Sequence, residues 1–425
     1  MSGGVDSSVS AYLMREKYKS CKGATMLLFL NEALGVSSKY PCCSRENIID
    51  AKAVCDVLGI EHEILNFMNE FEECVIKKFV RVYETGGTPN PCIDCNKFIK
   101  FALFLEYARK SGLERIATGH YARIEYEGVS VARNSEPEGF SQIEYDVSGL
   151  ERIARDEHDA SRHEEFSCDA ELDRISHDEH DVSAFMRTSQ GEQNTSGLIS
   201  RTPGRFLLRK AVDLSRDQSY VLYGMTQEQL SYTDFPLGSM KKSEVRELAG
   251  ELGFVNARKH DSQDICFVPD GDYAGFIETY TGKKYPEGKF IDASGKVLGT
   301  HNGIIHYTAG QRRGLGVAAK SRLYISEINT ETNTITLSPE CLMTKQITVN
   351  DVNLIAFGEL PENYSASVKV RYRQKEIPAV INQVSSDELV IEFHDEQKAP
   401  AIGQAAVIYD GDYVIGGGTI AGVAS

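Results

Sequence analysis

In the first 123 residues, short apolar runs alternate with longer segments whose apolar side chains recur every three to four positions. The apolar runs predict buried strands at residues 24–30, 63–65 and 115–118. The helical periodicity predicts helices at residues 48–58, 71–83 and 96–109. Such alternation predicts an α/β fold, in which helices cover both faces of a parallel sheet and the ligand lies beyond the carboxyl ends of the strands. In this pattern a further strand should precede residue 2.

After residue 205 the pattern changes twice. Short helical patterns at residues 227–232 and 243–252 flank a Phe-Pro-Leu-Gly turn. From residue 286 onwards, glycine-bounded apolar runs recur at short intervals, which is typical of a small antiparallel barrel. These runs are residues 303–307, 323–328, 334–337, 366–372, 379–381, 388–393, 405–409 and 414–415. We therefore expect three domains, formed by residues 1–232, by a small central domain at 233–285 and by a β-barrel at 286–425.

Residues 135–203 interrupt these patterns. The segment at residues 150–159 returns in similar form at residues 172–181, and residues 141–200 carry 15 acidic residues against five arginines. So polar a stretch buries too little apolar surface to offset the entropy lost on ordering. We therefore expect a solvated, disordered insertion. A metal-binding tract is the alternative, because the segment contains His158, His163, His177, His180 and Cys168.

Length and composition limit the class of protein. The 425 residues can bury a large core, and neither a signal peptide nor a long apolar run is apparent, so we expect a soluble cytoplasmic protein that is not bound to a membrane. Ten cysteines scattered through such a chain indicate metal binding or redox chemistry rather than structural disulfides. The net charge of −16 gives no support for a nucleic-acid partner, but much of it lies in the acidic insertion.

The first candidate site is the segment Ser2-Gly3-Gly4-Val5-Asp6-Ser7-Ser8. Two glycines permit a tight turn, and the amphipathic run that follows puts this turn at the N-terminus of a helix. The free amides and the positive end of the helix dipole favour a bound phosphate there. No lysine follows the glycines, so the segment is not the nucleotide loop that ends in Gly-Lys-Ser/Thr. It resembles instead the pyrophosphate loop of ATP pyrophosphatases, which transfer AMP to an oxygen and release pyrophosphate.

Two cysteine-bearing segments form the second candidate site. In TPNPCIDCNK at residues 88–97, the prolines fix an extended loop and a helical pattern begins just after Cys95, close to Lys97, a setting typical of a reactive thiol. In DSQDICF at residues 261–267, Cys266 ends a polar loop. Two separated thiols suit persulfide chemistry, in which one carries a transferable sulfur and the other attacks or resolves. We expect four other cysteines to be small buried apolar residues, namely Cys21, Cys55, Cys74 and Cys341.

The motifs together resemble those of the bacterial tRNA-specific 2-thiouridylases, which belong to the ATP-pyrophosphatase superfamily and make 2-thiouridine at the wobble position of certain tRNAs. The matching segments follow one another along almost the whole chain. They are SGGVDSSVSAYL, CCS at 42–44, TPNPCIDCNKFIKF, ATGHYAR at 117–123, DQSYVLY at 217–223, FPLG at 235–238, DSQDICF, AGQRRGLGV at 309–317, VRYRQ at 370–374, IGQAAVIYDGD and GGGTI. So many motifs in one order make the resemblance specific.

The resemblance implies a role for each matching residue. Cys95 corresponds to the nucleophile of the family and Cys266 to its persulfide carrier. ATP would be bound by Ser2, Gly3, Gly4, Val5, Asp6, Ser7, Met26 and Gly119. The flipped-out uracil would be held by Asn90, Pro91 and Cys92. The tRNA would be contacted by His120, Arg216, Asp217, Gln218, Arg371, Tyr372 and Gln404, with Arg371 and Tyr372 on barrel strands that suit phosphate contact and stacking.

The resemblance also implies a reaction. ATP adenylates the C2 oxygen of uracil, Mg²⁺ balances the phosphate charge, and Asp6 is the candidate metal ligand, unless its role is to cap the helix. A persulfide donor, either a sulfur-relay protein or a cysteine desulfurase, loads Cys266. The terminal sulfur then replaces the adenylated oxygen while Cys95 forms a disulfide with Cys266. The anticodon stem-loop of the tRNA lets the base leave its stack at small cost. Alternatively, Cys92, Cys95 and Cys266 hold a [4Fe-4S] cluster with one open iron.

Two other functions remain open from the sequence. Another ATP pyrophosphatase, a small-molecule ligase or amidotransferase, would share the glycine loop but would not need the cysteine pair. A truncated, inactive copy would bind RNA without catalysing exchange between ATP and pyrophosphate. Substitution of the two cysteines separates the first of these from a thiouridylase, and the exchange reaction separates the second.

Overall fold

The computed structural model describes residues 1–29, 45–127, 204–259, 265–268, 271–319 and 321–424. The insertion expected at residues 135–203 lies outside the described residues, as do Cys42 and Cys43. Within the described part of the chain, no helix combines the length and the apolar character needed to cross a membrane.

Helices are concentrated in the first 110 residues and between residues 219 and 281. The α-helices are α1 Val5–Lys17, α2 Arg45–Leu58, α3 Met68–Phe71, α4 Lys77–Glu84, α5 Pro91–Asp94, α6 Phe104–Lys110, α7 Gln227–Ser231, α8 Lys242–Glu251 and α9 Tyr273–Thr281. Two π-helical segments, Glu72–Ile76 and Cys95–Leu103, join α3 to α4 and α5 to α6. Short 3₁₀ turns occupy Ser219–Leu222 and Ile304–His306. The helices predicted from the periodicity are all present in the described part, and α2 ends at the predicted residue.

Among the described residues, strands are few before residue 205 and dominate after residue 286. They are β1 Lys22–Leu27, β2 Glu61–Asn66, β3 Ile116–Ala117, β4 Ala122–Glu127, β5 Arg205–Lys210, β6 Thr233–Asp234, β7 Gly288–Ile291, β8 Val297–His301, β9 Tyr324–Asn329, β10 Thr334–Ser338, β11 Met343–Leu354, β12 Tyr364–Lys369, β13 Ile377–Ser385, β14 Glu388–Lys398, β15 Ala405–Asp410 and β16 Tyr413–Val423.

The α/β part has the parallel strands that the sequence predicted. β1 pairs in parallel with β2, and β3 pairs in parallel with β6. Helix α1 is held between α2 and α8 by an apolar core that includes Val9, Val54 and Val245, all of them fully buried. Because α8 belongs to the segment predicted as a separate central domain, this core joins that segment to the loop at the start of α1.

The carboxyl-terminal strands form the expected antiparallel barrel. Six strands follow the order β11, β14, β13, β12, β15 and β16, and β11 also pairs with β16, which closes the sheet on itself. The hairpin of β4 and β5 is attached outside this ring, because β5 pairs with β16. The interior is filled by inward-facing apolar residues such as Ile347, Val368 and Ile391. The barrel is therefore directly continuous with strands of the α/β part.

The strands between residues 286 and 339 do not join that barrel. They form a separate four-stranded sheet in the order β8, β7, β10 and β9, with its own core around Phe290, Ile325 and Ile335. The strand predicted at 303–307 is instead a 3₁₀ turn at Ile304–His306. Evenly spaced apolar runs reveal that strands exist, but they carry no information on which strands pair, so the single barrel expected after residue 286 becomes two sheets.

Candidate active site

The glycine loop at the start of the chain turns sharply into helix α1. Gly3 adopts a φ of +69°, and a Cβ atom there would overlap the backbone of Asn47, so only glycine fits. Gly4 is the extended N-cap residue of α1. The Ser7 hydroxyl donates to the Gly4 carbonyl oxygen at 3.0 Å, and the Ser2 amide donates to the same hydroxyl at 3.1 Å. The first-turn amides of α1 thus point out of a folded, rigid loop, as anion binding requires.

Two residues from a distant segment tie this loop down. The buried Asn256 side chain donates to the Gly3 carbonyl oxygen at 3.0 Å and to the Ser8 hydroxyl at 2.9 Å. The Lys259 ammonium donates to the Gly3 carbonyl oxygen at 3.3 Å and to the Asp50 carboxylate at 2.6 Å. Neither residue was predicted from the sequence, because nothing in their local sequence links them to a loop some 250 positions earlier.

A carboxylate at the loop is neutralised by a buried lysine. Both oxygens of Asp6 accept hydrogen bonds from the Lys242 ammonium, at 2.8 and 2.7 Å, and the Tyr121 hydroxyl donates to Asp6 at 2.8 Å. Gly119 packs against the same place, because a Cβ atom on it would lie 3.0 Å from the Asp6 carbonyl carbon and the Ser7 nitrogen. The segment at residues 117–121 therefore forms one wall of the loop.

The helix that carries the first cysteine pair begins earlier than predicted. Asn90 is the N-cap and Pro91 is the first helical residue, the position at which proline's missing amide costs nothing. Cys92 lies in the first turn and is exposed, whereas Cys95 begins the π-helical segment one turn later and is 7% exposed. The predicted start just after Cys95 was wrong, because the two prolines mark the beginning of the helix and not an extended loop before it.

Charged side chains surround the buried face of this helix. Burial raises the pKa of the Asp94 carboxyl, although Lys78 donates a hydrogen bond to it at 2.8 Å and acts in the opposite direction. Burial likewise lowers the pKa of the Lys97 ammonium. Asn96 is also buried, and its side chain donates to the Val221 carbonyl oxygen at 2.9 Å. These contacts fix the rotation of the helix and hence the direction of its two thiols.

One cavity of about 1300 Å³ brings the separate candidate segments together. It is lined by Cys95 and Cys266, which the sequence separates by 171 positions, and both are thiols in this structure. Most of the residues expected to bind ATP, uracil or tRNA also line it. These are Ser2, Gly4, Val5, Asp6, Ser7, Met26, Gly119, Pro91, Cys92, His120, Arg216, Asp217, Gln218 and Tyr372.

Four candidate residues do not line this cavity, namely Gly3, Asn90, Arg371 and Gln404. The Gln404 side chain donates to the carbonyl oxygens of Thr88 and Pro89, at 2.9 and 3.3 Å, so it supports the segment that leads into Cys92. Arg371 donates to the Ala399 carbonyl oxygen at 3.5 Å. Residues 370–374 form a turn after β12, not part of a strand as predicted, and the Gln374 amide closes that turn.

Other candidate tRNA contacts also have partners within the protein. The Gln218 side chain accepts from the Tyr121 amide at 2.9 Å, and the Asp217 carboxylate accepts from the Ala211 amide at 3.0 Å. His120 is buried between the rings of Phe101 and Phe235. Burial holds the pKa of the His120 imidazole well below its usual range, so it is neutral at physiological pH. These side chains therefore form part of the cavity wall, and they can also contact a ligand.

The remaining cysteines differ from one another. Burial raises the pKa of the Cys21 and Cys55 thiols, and Cys55 is fully buried. Cys21 and Cys341 are partly exposed, so the expectation that both are buried was wrong. Cys74 is buried as expected, but it is disulfide-bonded, which corrects the expectation of a thiol that serves only as a small apolar side chain.

Metal sites are a separate question from the thiols. Among the described residues, no group of three or more His, Cys, Asp or Glu side chains is arranged to hold a metal ion. The side chains of Cys92, Cys95 and Cys266 therefore share a cavity without forming a ready iron–sulfur site. Asp6 contacts a lysine and a tyrosine, so the part of the chain that the structure describes offers Mg²⁺ no pre-formed set of oxygen ligands at the loop.

Three family models match successive parts of the chain. A model described as a tRNA methyl transferase HUP domain matches residues 1–141 and 185–270. A tRNA methyl transferase PRC-barrel domain matches residues 274–339, and an aminomethyltransferase beta-barrel domain matches residues 344–420. The second match covers almost all of helix α9 and the separate four-stranded sheet, and the third covers most of the closed barrel.

Curated relatives match the chain over nearly its whole length. The tRNA-specific 2-thiouridylase MnmA of Lachnoclostridium phytofermentans is 37% identical over 422 residues, covering 99% of this chain and 98% of that protein. Proteins of the same name from Clostridioides difficile and Pelotomaculum thermopropionicum are each 38% identical, covering 99% of this chain and 96% and 95% of those proteins. Similarity at this level extends through the α/β part, the four-stranded sheet and the barrel.

Proposed function

This chain belongs to the family of tRNA-specific 2-thiouridylases, and on that premise we propose that it uses ATP to replace the C2 oxygen of the wobble uridine in tRNA by sulfur. The observation that carries the proposal is the single cavity shared by the glycine loop, by Cys95 and by Cys266. A reaction that first activates an oxygen with ATP and then delivers sulfur needs all three around one substrate atom.

The first step activates an unreactive carbonyl. The uracil O2 attacks the α-phosphorus of ATP, the bond between the α- and β-phosphates breaks, and pyrophosphate leaves. The uracil O2 atom is then bonded to the phosphorus of AMP. AMP is a far better leaving group than oxide or hydroxide. The first-turn amides of α1 stabilise the charge that builds up on pyrophosphate, because they are already oriented before the reaction begins.

The second step transfers sulfur through the two thiols. A persulfide donor, either a sulfur-relay protein or a cysteine desulfurase, leaves a terminal sulfur on Cys266. That sulfur attacks C2 and AMP departs, so the base becomes attached to Cys266 through a disulfide linkage. The Cys95 thiolate then attacks the Cys266 sulfur, which releases 2-thiouridine and forms a Cys95–Cys266 disulfide. A thiol reductant must reduce this disulfide before the next turnover.

The tRNA lies across the mouth of the same cavity. Basic side chains from separate segments line it, including Lys100, Arg216 and Arg373. The Tyr372 ring is 40% exposed, and its hydroxyl donates to the Asp217 carbonyl oxygen at 3.1 Å, so the ring has a fixed orientation. A fixed, exposed ring next to arginines is suited to stacking on an unpaired base of the anticodon loop.

The proposed mechanism includes Mg²⁺ but no iron–sulfur cluster. ATP brings its own phosphate oxygens, so Mg²⁺ needs few protein ligands, and Asp6 is the nearest carboxylate to the loop. A [4Fe-4S] cluster would require Cys92, Cys95 and Cys266 to move together, whereas a persulfide relay needs the last two alone. We therefore base the mechanism on the relay, and we expect an anaerobically prepared protein to be fully active without iron.

The proposal is tested by thiolation of unmodified tRNA with ATP, a persulfide donor and a thiol reductant, with 2-thiouridine measured by mass spectrometry of nucleosides. We expect Cys95→Ser and Cys266→Ser each to abolish 2-thiouridine. Both variants should still release pyrophosphate in a tRNA-dependent reaction, because the thiols act after adenylation. Cys341→Ser, at a partly exposed cysteine outside the cavity, is the matched control and should be as active as the unmodified chain.

The same experiment separates the other functions. Normal thiolation by Cys95→Ser would refute the relay. Activation of a small molecule but not of tRNA would identify a ligase or amidotransferase, and an absence of pyrophosphate release would identify an inactive RNA-binding copy. Two of the matching family models are described as tRNA methyl transferase domains. A methyltransferase would give a different product, a methylated nucleoside, which the same mass spectra would reveal.

A further inference from the structure

Lys242 is a buried cation that faces the glycine loop from a distant helix. It is the first residue of α8, and its side chain is only 8% exposed. Its ammonium contacts both carboxylate oxygens of Asp6, a residue 236 positions earlier in the chain. It also lines the cavity that the loop lines. Lys242 thus combines a positive charge with a position beside the glycine loop and access to the cavity.

The loop itself carries no positive side chain. Nucleotide loops of the Gly-Lys-Ser/Thr type place a lysine directly after the glycines, whereas here the residue inside the first turn of α1 is the acid Asp6. An unpaired carboxylate beside a triphosphate would repel it, and amides alone supply only partial charges. A positively charged side chain at this place must therefore come from elsewhere in the chain.

The second lysine near the loop serves a different purpose. The Lys259 ammonium donates to the Gly3 carbonyl oxygen, to the Asn47 side chain at 2.5 Å and to Asp50, so its three hydrogens are already directed at the protein. These contacts hold the backbone of the loop against helix α2. Lys242 donates to both oxygens of the Asp6 carboxylate at the surface of the cavity, where an incoming phosphate would compete for its ammonium.

The stability of the fold gives little reason to bury this ion pair. Taking a lysine and a carboxylate out of water costs about as much as their attraction returns, and a well-packed apolar pair is often at least as stable. A lysine retained at the rim of an anion-binding loop is more simply explained by the anion. Charge-assisted hydrogen bonds to phosphate oxygens are among the strongest that a protein makes.

We propose that Lys242 binds the β- and γ-phosphates of ATP, and the pyrophosphate formed from them, by directing its ammonium from Asp6 towards a phosphate oxygen. This inference rests on the ATP-binding role of the loop in the proposed function. Lys242 thereby supplies from α8 the charge that a lysine within the loop supplies in other nucleotide-binding proteins. Asp6 holds the ammonium in place when no nucleotide is bound.

The test measures ligand binding in the absence of tRNA and of turnover. Isothermal titration calorimetry of the full chain uses three probes: α,β-methylene ATP, which lacks the cleavable bond, pyrophosphate, and AMP. We expect Lys242→Met to weaken the binding of α,β-methylene ATP and of pyrophosphate by about ten- to a hundredfold. Binding of AMP should change by less than about threefold, because AMP lacks the phosphates that Lys242 contacts.

Companion variants keep the result decisive. Lys242→Arg retains the charge and should keep most of the affinity. Lys241→Met, at the exposed neighbouring position, is the matched control and should bind all three probes normally. Because Lys242→Met leaves Asp6 without its cation, the double variant Asp6→Asn/Lys242→Met serves as a comparison in which neither charge is buried alone. We expect the double variant to bind pyrophosphate as weakly as Lys242→Met does.

Each contrary outcome has a distinct meaning. If the unmodified chain does not bind α,β-methylene ATP, the proposed function fails. If the unmodified chain binds it and Lys242→Met binds it equally well, only the role of Lys242 fails. Recovery of normal pyrophosphate binding in the double variant would mean that Lys242 merely neutralises Asp6. An equal loss of AMP affinity would indicate a distorted pocket, and either of these last two results overturns the inference.

Discussion

At the scale of single residues, two glycines determine how closely the backbone segments of the site approach one another. Gly119 faces the peptide group between Asp6 and Ser7, and Gly3 packs on Asn47 at the other side of the loop. Neither glycine contributes a functional group. Their role is to let backbone segments approach closely at the place where the proposed function requires a phosphate chain to bind.

We expect Gly119→Ala to weaken the binding of α,β-methylene ATP by about tenfold or more, because the added methyl group lies 3.0 Å from the backbone at Asp6 and must displace the loop. Calorimetry of the two proteins measures this difference. Gly250→Ala is the matched control, since that glycine lies inside helix α8 with no atom within 4 Å of the added methyl group. It should bind the analogue normally and unfold at a slightly higher temperature. Unchanged affinity in Gly119→Ala would contradict the close approach.

The residues that could be predicted from the sequence are those whose signal is local. Glycine spacing and the start of a helix identified the loop, and prolines around Cys92 identified the second segment. Lys242, Asn256 and Lys259 could not be found this way, because lysine and asparagine are common and no spacing rule links them to a loop more than 230 positions away. Only the folded chain brings them together.

At the scale of elements, the helix of the cysteine pair and the hairpin of β4 and β5 are the informative cases. The π-helical segment that begins at Cys95 could not be predicted from the sequence, because a π-turn is set by packing and not by apolar spacing.

The hairpin of β4 and β5 is informative in a different way, through the pairing of its two strands. Glu127 of β4 pairs with Arg205 of β5, and the Gly204 amide donates to the Glu127 carbonyl oxygen at 2.8 Å, so the two ends of the intervening segment lie side by side.

We therefore expect the chain to fold without residues 129–203. Joining Gly128 to Gly204 leaves a two-residue Gly-Gly loop between the paired residues Glu127 and Arg205, a connection that suits an antiparallel hairpin. The shortened protein should bind α,β-methylene ATP normally, and its unfolding temperature should lie within a few degrees of that of the full chain. Circular dichroism and calorimetry measure both quantities.

The matched control for this deletion removes Gly204 as well. Only one residue then remains between Glu127 and Arg205, too few for the favoured two-residue turn, so the register of β4 against β5 must slip. This variant should be clearly less stable. Equal stability of the two deletions, or loss of folding in both, would contradict the argument from the hairpin.

At the scale of the whole molecule, the pairing of strands was the part that the sequence left undetermined. The strands from Thr334 to Ser338 and from Glu388 to Lys398 have the same alternating character, yet one lies in the four-stranded sheet and the other in the closed barrel. Alternation reports that one face of a strand is buried, whereas the partner is decided by contacts across the entire chain. The fold class was therefore predictable, and the division into sheets was not.

The buried His120 predicts how global stability depends on pH. Burial, helped by the nearby charge of Lys100, lowers the pKa of its imidazole in the folded state, whereas in the unfolded chain it is about 6.5. Below pH 6.5 the unfolded state therefore binds a proton that the folded state does not, and the free energy of unfolding falls by up to about 1.4 kcal/mol per pH unit from this residue.

In His120→Gln this contribution is absent, because glutamine does not titrate. We expect the decrease in the free energy of unfolding between pH 6.5 and pH 5 to be smaller in this variant than in the unmodified chain, as measured by urea denaturation at each pH. His394→Gln, at an exposed position on β14, is the control and should follow the unmodified chain. Parallel pH profiles for all three proteins would refute the assignment to His120.

The anchoring of Lys259 to the glycine loop limits how far from that loop the sulfur of Cys266 can lie. The two residues are seven positions apart, and a fully extended chain of that length spans about 25 Å. Within such a radius, the Cys266 thiol, which is the sulfur carrier of the proposed reaction, is present at an effective concentration in the millimolar range, whatever the abundance of the protein in its cell. In the proposed reaction, the delivery of sulfur is therefore intramolecular, and the encounter that depends on dilution is the earlier one, in which an outside donor charges Cys266.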